Sequence, residues 1–523
     1  MIGLYLYATG AQRQCITVLS TLGLSESYTN LTSQNIRRKR KVKHAEEPNP
    51  FIEVPSTDPS MEIVQRTGTL HQLCDSMRSE ARELAATGLF SVVYDNINLH
   101  FGSAEQIVGR HGMSTTCFEL LVLDKVLNLF YKDTQENGTA ATAIPLFDAH
   151  PEDINLEKFQ SAYLDAPQLK LEDILHTPQE QKTFKNNLIH TILRIIVNNG
   201  GPGLKKFEPD LQRYQPESPI KIPTHKTELH PLPSWNIDES TIVGNAEVDE
   251  AIVKELRLDK VQEAAERVRF LAGDQLSIAR LRALEFIRAG QEEGYQGFFW
   301  GAWIPGLFHA KIADALGTLL THFGQPDTIS QNSWTLGFQN GRIDRLPITL
   351  TSLPPYRTCR DLIFVALYAR VLHCLLLVSK CSSLEGYALK VDRWDTLVEH
   401  ATKIFENYAN ASLVDELRSE RAESLEDKEE GAKPTQGDAV FENAVLFMRD
   451  ALVSREFNDA IKAGDSGRVM LILKIWALSF RGNGRTKYAY EMLHLIHNLT
   501  HVWPEEIRYV VSCCIGIMSK PSM

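Results

Sequence analysis

The apolar periodicity of the chain changes several times along its length. Met61–Thr87 repeats apolar residues every three to four positions, with Leu70, Leu73, Met77 and Ala81 on one face, and predicts an amphipathic helix. Leu89–Phe101 is short and rich in β-branched and aromatic residues, the composition of a strand. Residues 116–131 are apolar and fit either a strand or a helix, and 134–180 read as loop with short helices. Residues 181–198 form an amphipathic helical pattern stopped by Asn-Asn-Gly-Gly-Pro, and the Pro-rich stretch 203–245 reads as a surface-wrapping loop.

Further on, the periods alternate. A helix is predicted over Asp249–Glu266, a strand over Val268–Asp274, a helix over Ser277–Ala289, a strand over Phe298–Ile304 and a helix over Gly306–Phe323. Strands alternating with helices predict an α/β core with a sheet flanked by helices. Helical patterns dominate 358–412 and return over 438–502, so the C-terminal half is expected to be helix-rich. Between them, residues 415–436 carry eight acidic and four basic residues and read as a disordered insertion. The resulting layout is a basic, weakly ordered segment 1–60, an α/β core 61–412 with the Pro-rich insertion 203–245, an acidic insertion 413–437 and a helical part 438–523.

Composition narrows the classes. In 523 residues the chain is 43% apolar and 23% charged, ordinary for a globular protein, and carries a formal charge of −11. That balance argues against a uniformly basic nucleic-acid binder, while leaving room for a local basic patch. One such patch exists: Arg37, Arg38, Lys39, Arg40, Lys41 and Lys43. It reads either as a nuclear-import or nucleic-acid patch or as a solvated charge run. The eight cysteines form no C-x-x-C pair and are scattered, so they read as free thiols of an intracellular protein. The first ten residues lack a basic n-region, and the longest apolar stretch, Leu362–Val378, is broken by Tyr368, Arg370 and His373, so it reads as a buried helix and no membrane partner is expected.

Candidate chemistry rests on acids. Asp95 follows Val-Val-Tyr and Asp274 follows Phe-Leu-Ala-Gly, both where strands are predicted to end. Acids at the carboxyl edge of a sheet converge where ligands bind. Paired carboxylates hold Mg²⁺ or Mn²⁺ through hard oxygen ligands and serve phosphoryl transfer. Two later acids are candidates for a third ligand: Glu491 on a predicted helix and Asp465 in Gly-Asp-Ser-Gly. The structural alternative is equally explicit, since an Asp before a helix is commonly its N-cap. His309 opens a predicted helix and reads either as an accessory to Asp274 or as a hydrogen-bonded core histidine. Glu491, His494, His497 and His501 share a helix face, but a single Glu-x-x-His falls short of a di-iron bundle. Serine-hydrolase, zincin and dinucleotide-binding motifs are absent from the sequence.

Taken together, Tyr94-Asp-Asn-Ile-Asn98, Ala272-Gly-Asp-Gln-Leu-Ser277 with Arg280, Gly306-Leu-Phe-His309, Gly464-Asp-Ser-Gly-Arg468, Trp476, Phe480-Arg-Gly and Tyr488-Ala-Tyr-Glu491 resemble a domain of unknown function expanded in fungal genomes. The resemblance covers roughly residues 61–510 and implies no established activity. By analogy it is similar to transposase-derived proteins with a ribonuclease-H-like core. Compared with that pattern, the N-terminal 60 residues and the end after Trp503-Pro-Glu-Glu differ, which suggests a truncated copy. The leading expectation is therefore a transposon-derived, ribonuclease-H-like protein acting on DNA, intracellular and nuclear. In it Asp95, Asp274 and Glu491 bind Mg or Mn, with His309 and Asp465 as accessories. The competing expectation is a catalytically inert, helix-rich scaffold.

Overall fold

The computed structural model describes residues 13–22, 24–25, 31, 69–98, 137–216, 218, 220–223, 226–260, 266–290, 294–325, 333–349, 352, 354–426 and 438–518. In chain order, the first elements are α1 (Arg13–Thr21), α2 (Thr69–Thr87), β1 (Phe90–Asn98), β2 (Asn137–Pro145), α3 (Leu156–Leu164), α4 (Leu171–Ile174), α5 (Pro178–Asn199) and α6 (Glu208–Arg213). Then come β3 (His230–Pro231), α7 (Ile242–Glu255), β4 (Arg269–Gly273), α8 (Gln275–Arg288), β5 (Gly301–Pro305), α9 (Leu307–His322) and α10 (Leu336–Arg342). The remaining helices are α11 (Tyr356–Ser379), α12 (Leu384–Lys390), α13 (Trp394–Tyr408), α14 (Ala411–Glu426), α15 (Ala439–Ala463), α16 (Ser466–Gly482), α17 (Thr486–His497) and α18 (Glu505–Met518). The chain divides into two compact units, residues 1–160 with 227–304 and residues 161–226 with 305–523.

The first unit is built on a five-stranded mixed sheet of order β3-β2-β1-β4-β5. Along β1 the alternation expected of a strand is plain: Phe90, Val92 and Tyr94 are 7, 3 and 2% exposed, while Asp95 is open to solvent. β1 pairs antiparallel with β2 along its whole length, from Phe90↔Pro145 to Asn98↔Asn137, and parallel with β4 from Ser91↔Phe270 to Val93↔Ala272. β3 adds Thr142↔Pro231 and Ala143↔His230 at the sheet edge, where a proline, lacking an N–H, costs nothing. The hydrophobic core gathers Ala81 and Ala85 of α2, Val248 and Ile252 of α7, and Ile278 and Leu281 of α8 with Val92, Tyr94 and Leu271 of the sheet. Arg78 and Arg82 of α2 both bind the Glu255 carboxylate at the end of α7, tying those two helices together.

The second unit is helical. Its core joins Leu188, Ile192 and Ile196 of α5, Leu362, Leu367 and Val371 of α11, Leu397, Ala401 and Ile404 of α13 and Phe447, Ala451 and Leu452 of α15. α5 begins with a reciprocal capping box between Thr177 and Glu180 and has Pro178 at its first position. By length and composition, α11 is long and apolar enough to cross a bilayer, a property that core helices share. Here Leu362, Ile363, Leu367, Val371 and Leu375 are all within 1% of full burial in the unit's core. Cys359, Cys374 and Cys381 are free thiols.

The mixed α/β expectation with a helix-rich C-terminal half agrees with this architecture, but several segments depart from it. β2 occupies a stretch expected to be loop and short helices. Its small residues, Gly-Thr-Ala-Ala-Thr-Ala, carry no strand signal of their own, and its pairing with β1 makes it a strand. The helix expected over Asp249–Glu266 runs over Ile242–Glu255 instead. Thr241 caps it by accepting from the Gly244 amide, and Arg257 at φ 57° lies just beyond its end. In the stretch expected to be disordered, Ala411–Glu426 is helical, with Arg418 and Arg421 both bonded to Glu442 of α15. Residues 427–437, the basic run 37–43 and the apolar stretch 116–131 lie outside the described residues.

Candidate functional site: acids at the edge of β1 and β4

The parallel register of β1 and β4 decides what stands together. Its last ladder pair is Val93↔Ala272. Asp274 keeps an extended backbone, with φ −64° and ψ 171°. Carried on by two residues, the register sets Asp95 level with Asp274, on strands spaced about 4.8 Å apart. This is the carboxyl end of β4, an edge where α/β sheets bind ligands. Contrary to the expectation that a strand ends at Asp95, β1 runs on to Asn98, because β2 pairs with it there and Asp95 stands opposite Ala140.

Asp274 also caps α8. Its Oδ1 accepts from the Ser277 amide at 2.6 Å. The alternative raised from the sequence is therefore realised for one oxygen of this carboxylate. Asp95 Oδ1 accepts from the Asn96 amide at 2.9 Å.

A third acid, Glu239, joins them from the loop between β3 and α7. It is 4% exposed, and its Oε2 is buried with no hydrogen-bond partner. Burial pushes its carboxyl up to about 8, and the charges of Asp274 and Asp95 push the same way, against the Asn96 backbone amide and Arg280. Beneath the acids, the buried Tyr94 hydroxyl donates to Asn245 Oδ1 at 2.9 Å. Burial raises the Tyr94 phenol, and the Glu239, Asp249 and Asp274 carboxylates add to that. Arg280, on the second turn of α8, donates to the Glu239 carbonyl at 2.9 Å. Sequence reasoning missed Glu239 because it lies in a Pro-rich loop, off any periodic face. The one signal was its position two residues before the capping Thr241.

The other expected site residues belong to the second unit. Glu491 is buried on α17, 1% exposed. Asp465 caps α16 by accepting from the Arg468 amide at 3.1 Å, so its turn-and-cap alternative is the role it fills. His309 is half-buried in the first turn of α9 beside the Phe308 ring. His497 reaches the Pro167 carbonyl at 2.8 Å, and His501 lies 2.9 Å from Asp173, whose carboxyl that contact lowers. These two histidines thus face α4 and its approach rather than a shared ion with Glu491. Among the described residues, no three His, Cys, Asp or Glu side chains stand ready-made at metal-ligand spacing.

A family model for DUF6589, a family of unknown function, matches residues 164–515. The chain belongs to the DUF6589 family. Comparisons with curated proteins and with solved structures find no match. The DUF6589 match includes Glu239, Asp274, His309, Asp465 and Glu491, and it begins after β2, so Asp95 lies outside it. It is narrower at the N-terminal side than the 61–510 expected from the motifs.

Proposed function

We propose that this DUF6589 chain is a transposase-derived protein with a ribonuclease-H-like core, whose sheet edge carries metal-dependent phosphoryl transfer on nucleic acid. The observation that carries this reading is the parallel register of β1 and β4, whose last pair, Val93↔Ala272, stands two residues before Asp95 and Asp274. A five-stranded mixed sheet, in which an antiparallel β1–β2 hairpin continues into a parallel β4, supports the core assignment.

The donor set fits Mg²⁺ or Mn²⁺, because it offers carboxylate oxygens only. Bound there, a divalent ion supplies charge neutralisation at a phosphoryl group and polarisation of the attacking oxygen. The chain's own residues prepare the edge. Asp274 has Oδ1 fixed by the Ser277 amide, and its second oxygen would serve as the ligand. The exposed Asp95 carboxylate would hold the ion from β1. Glu491 and His309, the third acid and accessory expected from the sequence, belong to the other unit, so the acids of the first unit carry the proposal. The basic run 37–43 supports a nuclear protein that meets DNA.

Thermal melting of the full chain with Mn²⁺ or Mg²⁺ tests this. An ion present at about 100 times its Kd adds about 2.7 kcal/mol to the folded state. The expected result is a rise in Tm for the wild type that is lost in Asp95→Asn and Asp274→Asn. No shift in the wild type overturns the reading and leaves the helix-rich scaffold in its place.

A further inference from the structure

The buried glutamates of the described chain are treated unequally. Glu255 receives Arg78 and Arg82, Glu442 receives Arg418 and Arg421, and Glu456 receives Arg468 and Thr191. Glu239 receives no guanidinium on its carboxylate. Arg280 is close, but its Nη1 goes to the Glu239 carbonyl oxygen. An unbonded carboxylate oxygen out of water costs free energy, and two like charges beside it add to that cost.

The loop does not relax to remove this cost, because its backbone is tied on every side. Thr139 exchanges both backbone hydrogen bonds with Trp235, at 2.8 and 2.9 Å, and its hydroxyl donates to the Ile237 carbonyl at 2.8 Å. Asn245 Nδ2 donates to the Glu239 carbonyl at 2.6 Å and to the Thr241 carbonyl at 2.7 Å. Gly244 lies so close under the loop that a Cβ on it would meet the Asp238 carbonyl oxygen at 1.9 Å. The framework therefore holds a buried oxygen with no hydrogen-bond partner, on a carboxyl that feels the charges of Asp274 and Asp95. A hard cation would balance all three.

We propose that Glu239 is a further carboxylate ligand of the divalent-ion site at the edge of β1 and β4, built into the loop that leads from β3 into α7. The proposal rests on the reading of Asp95 and Asp274 as an ion-binding pair and deepens it. It makes the first unit itself the source of three oxygen donors, drawn from a strand, a strand end and a tied loop. The site would take Mg²⁺ or Mn²⁺, since it has neither nitrogen nor sulfur to favour softer metals.

The test is Mn²⁺ binding to the full chain, followed by isothermal titration and by the paramagnetic resonance of free Mn²⁺, with folding checked by circular dichroism. Glu239→Gln keeps the shape and removes the charge. It should weaken Mn²⁺ on the order of tenfold or more, since even outer-shell changes cost that much. Glu239→Asp, with its carboxylate withdrawn by one methylene, should fall between Gln and wild type, and it carries the test if the Gln variant does not fold. Wild-type affinity in both variants, with binding abolished in Asp274→Asn, overturns the role of Glu239 and leaves the Asp95–Asp274 pair standing. A wild type that binds no Mn²⁺ overturns the pair and, with it, the proposal.

Discussion

The chain buries charge in two contrasting ways. In the helical unit, Glu456 is 0% exposed, yet both its oxygens are satisfied: Arg468 bonds them at 2.6 and 2.7 Å, and the Thr191 hydroxyl adds a third bond at 2.7 Å. Asp459, one turn on, lies 3.1 Å from both Arg194 and Arg455. At the sheet edge of the other unit, Asp95, Asp274 and Glu239 gather with no guanidinium on the buried carboxylate. Opposite charges buried together hold helices in register. A buried carboxylate near like charges is a structural liability, and such groups concentrate where a ligand completes the balance. The comparison separates scaffold from candidate site without reference to any motif.

The largest test removes one side of the paired region. Arg468→Met strands the Glu456 carboxylate in the core, and breaking a buried pair from one side costs about 3–5 kcal/mol. Urea unfolding should show this loss, and adding Glu456→Gln should recover much of it. A loss below about 1 kcal/mol in the single variant would mean that the pair is not desolvated as its geometry requires.

A second test concerns His190 of α5, which sits among these cations at 2% exposure. Burial lowers its imidazole to about 3, and Arg468, Arg194 and Lys221 all push it the same way. The folded value lies below the unfolded one, about 6.5. Its contribution is therefore fully present above pH 6.5 and drains away as pH falls toward 3. Between pH 6.5 and 4.5 the loss is on the order of 2 kcal/mol. Denaturant melts of wild type and His190→Gln at pH 7 and 4.5 should differ by about that amount, with the variant losing less on acidification. Equal losses would remove His190 from the charge balance.

The two regions were also unequally legible in the sequence. β4, α8 and β5 could be read because short apolar runs end at Asp or Pro and give way to a helical period, and β1 because it is rich in β-branched and aromatic residues. That sufficed to nominate Asp95 and Asp274. β2 could not be read, because Gly, Ala and Thr become a strand only when β1 lies alongside. Glu239 could not be nominated for a similar reason: a loop acid has no period, and its neighbours are set by the Thr139–Trp235 and Asn245 bonds. Asp465 was legible as a cap: Gly-Asp-Ser-Gly offered a turn-and-cap role beside the catalytic one, and the carboxylate accepts from the Arg468 amide. α14 shows that a charge-rich sequence is not by itself disordered when its arginines reach a buried glutamate on the next helix.

The smallest effect bears most directly on Asp274, which belongs to both kinds of region at once. As a cap it is structural, and as a strand-end acid it belongs to the cluster. Ala at a cap position costs about 1 kcal/mol, whereas Asn caps as well as Asp. Asp274→Ala should therefore lower the stability of the metal-free protein by about 1 kcal/mol, and Asp274→Asn should change it by a few tenths at most. Both should lose Mn²⁺ binding, because neither retains the charge. The pair of variants separates the two roles on one side chain. If Asn matched wild type in Mn²⁺ affinity as well as in stability, Asp274 would be a cap alone, and the cluster would reduce to Asp95 and Glu239, too few carboxylates to hold a pair of ions.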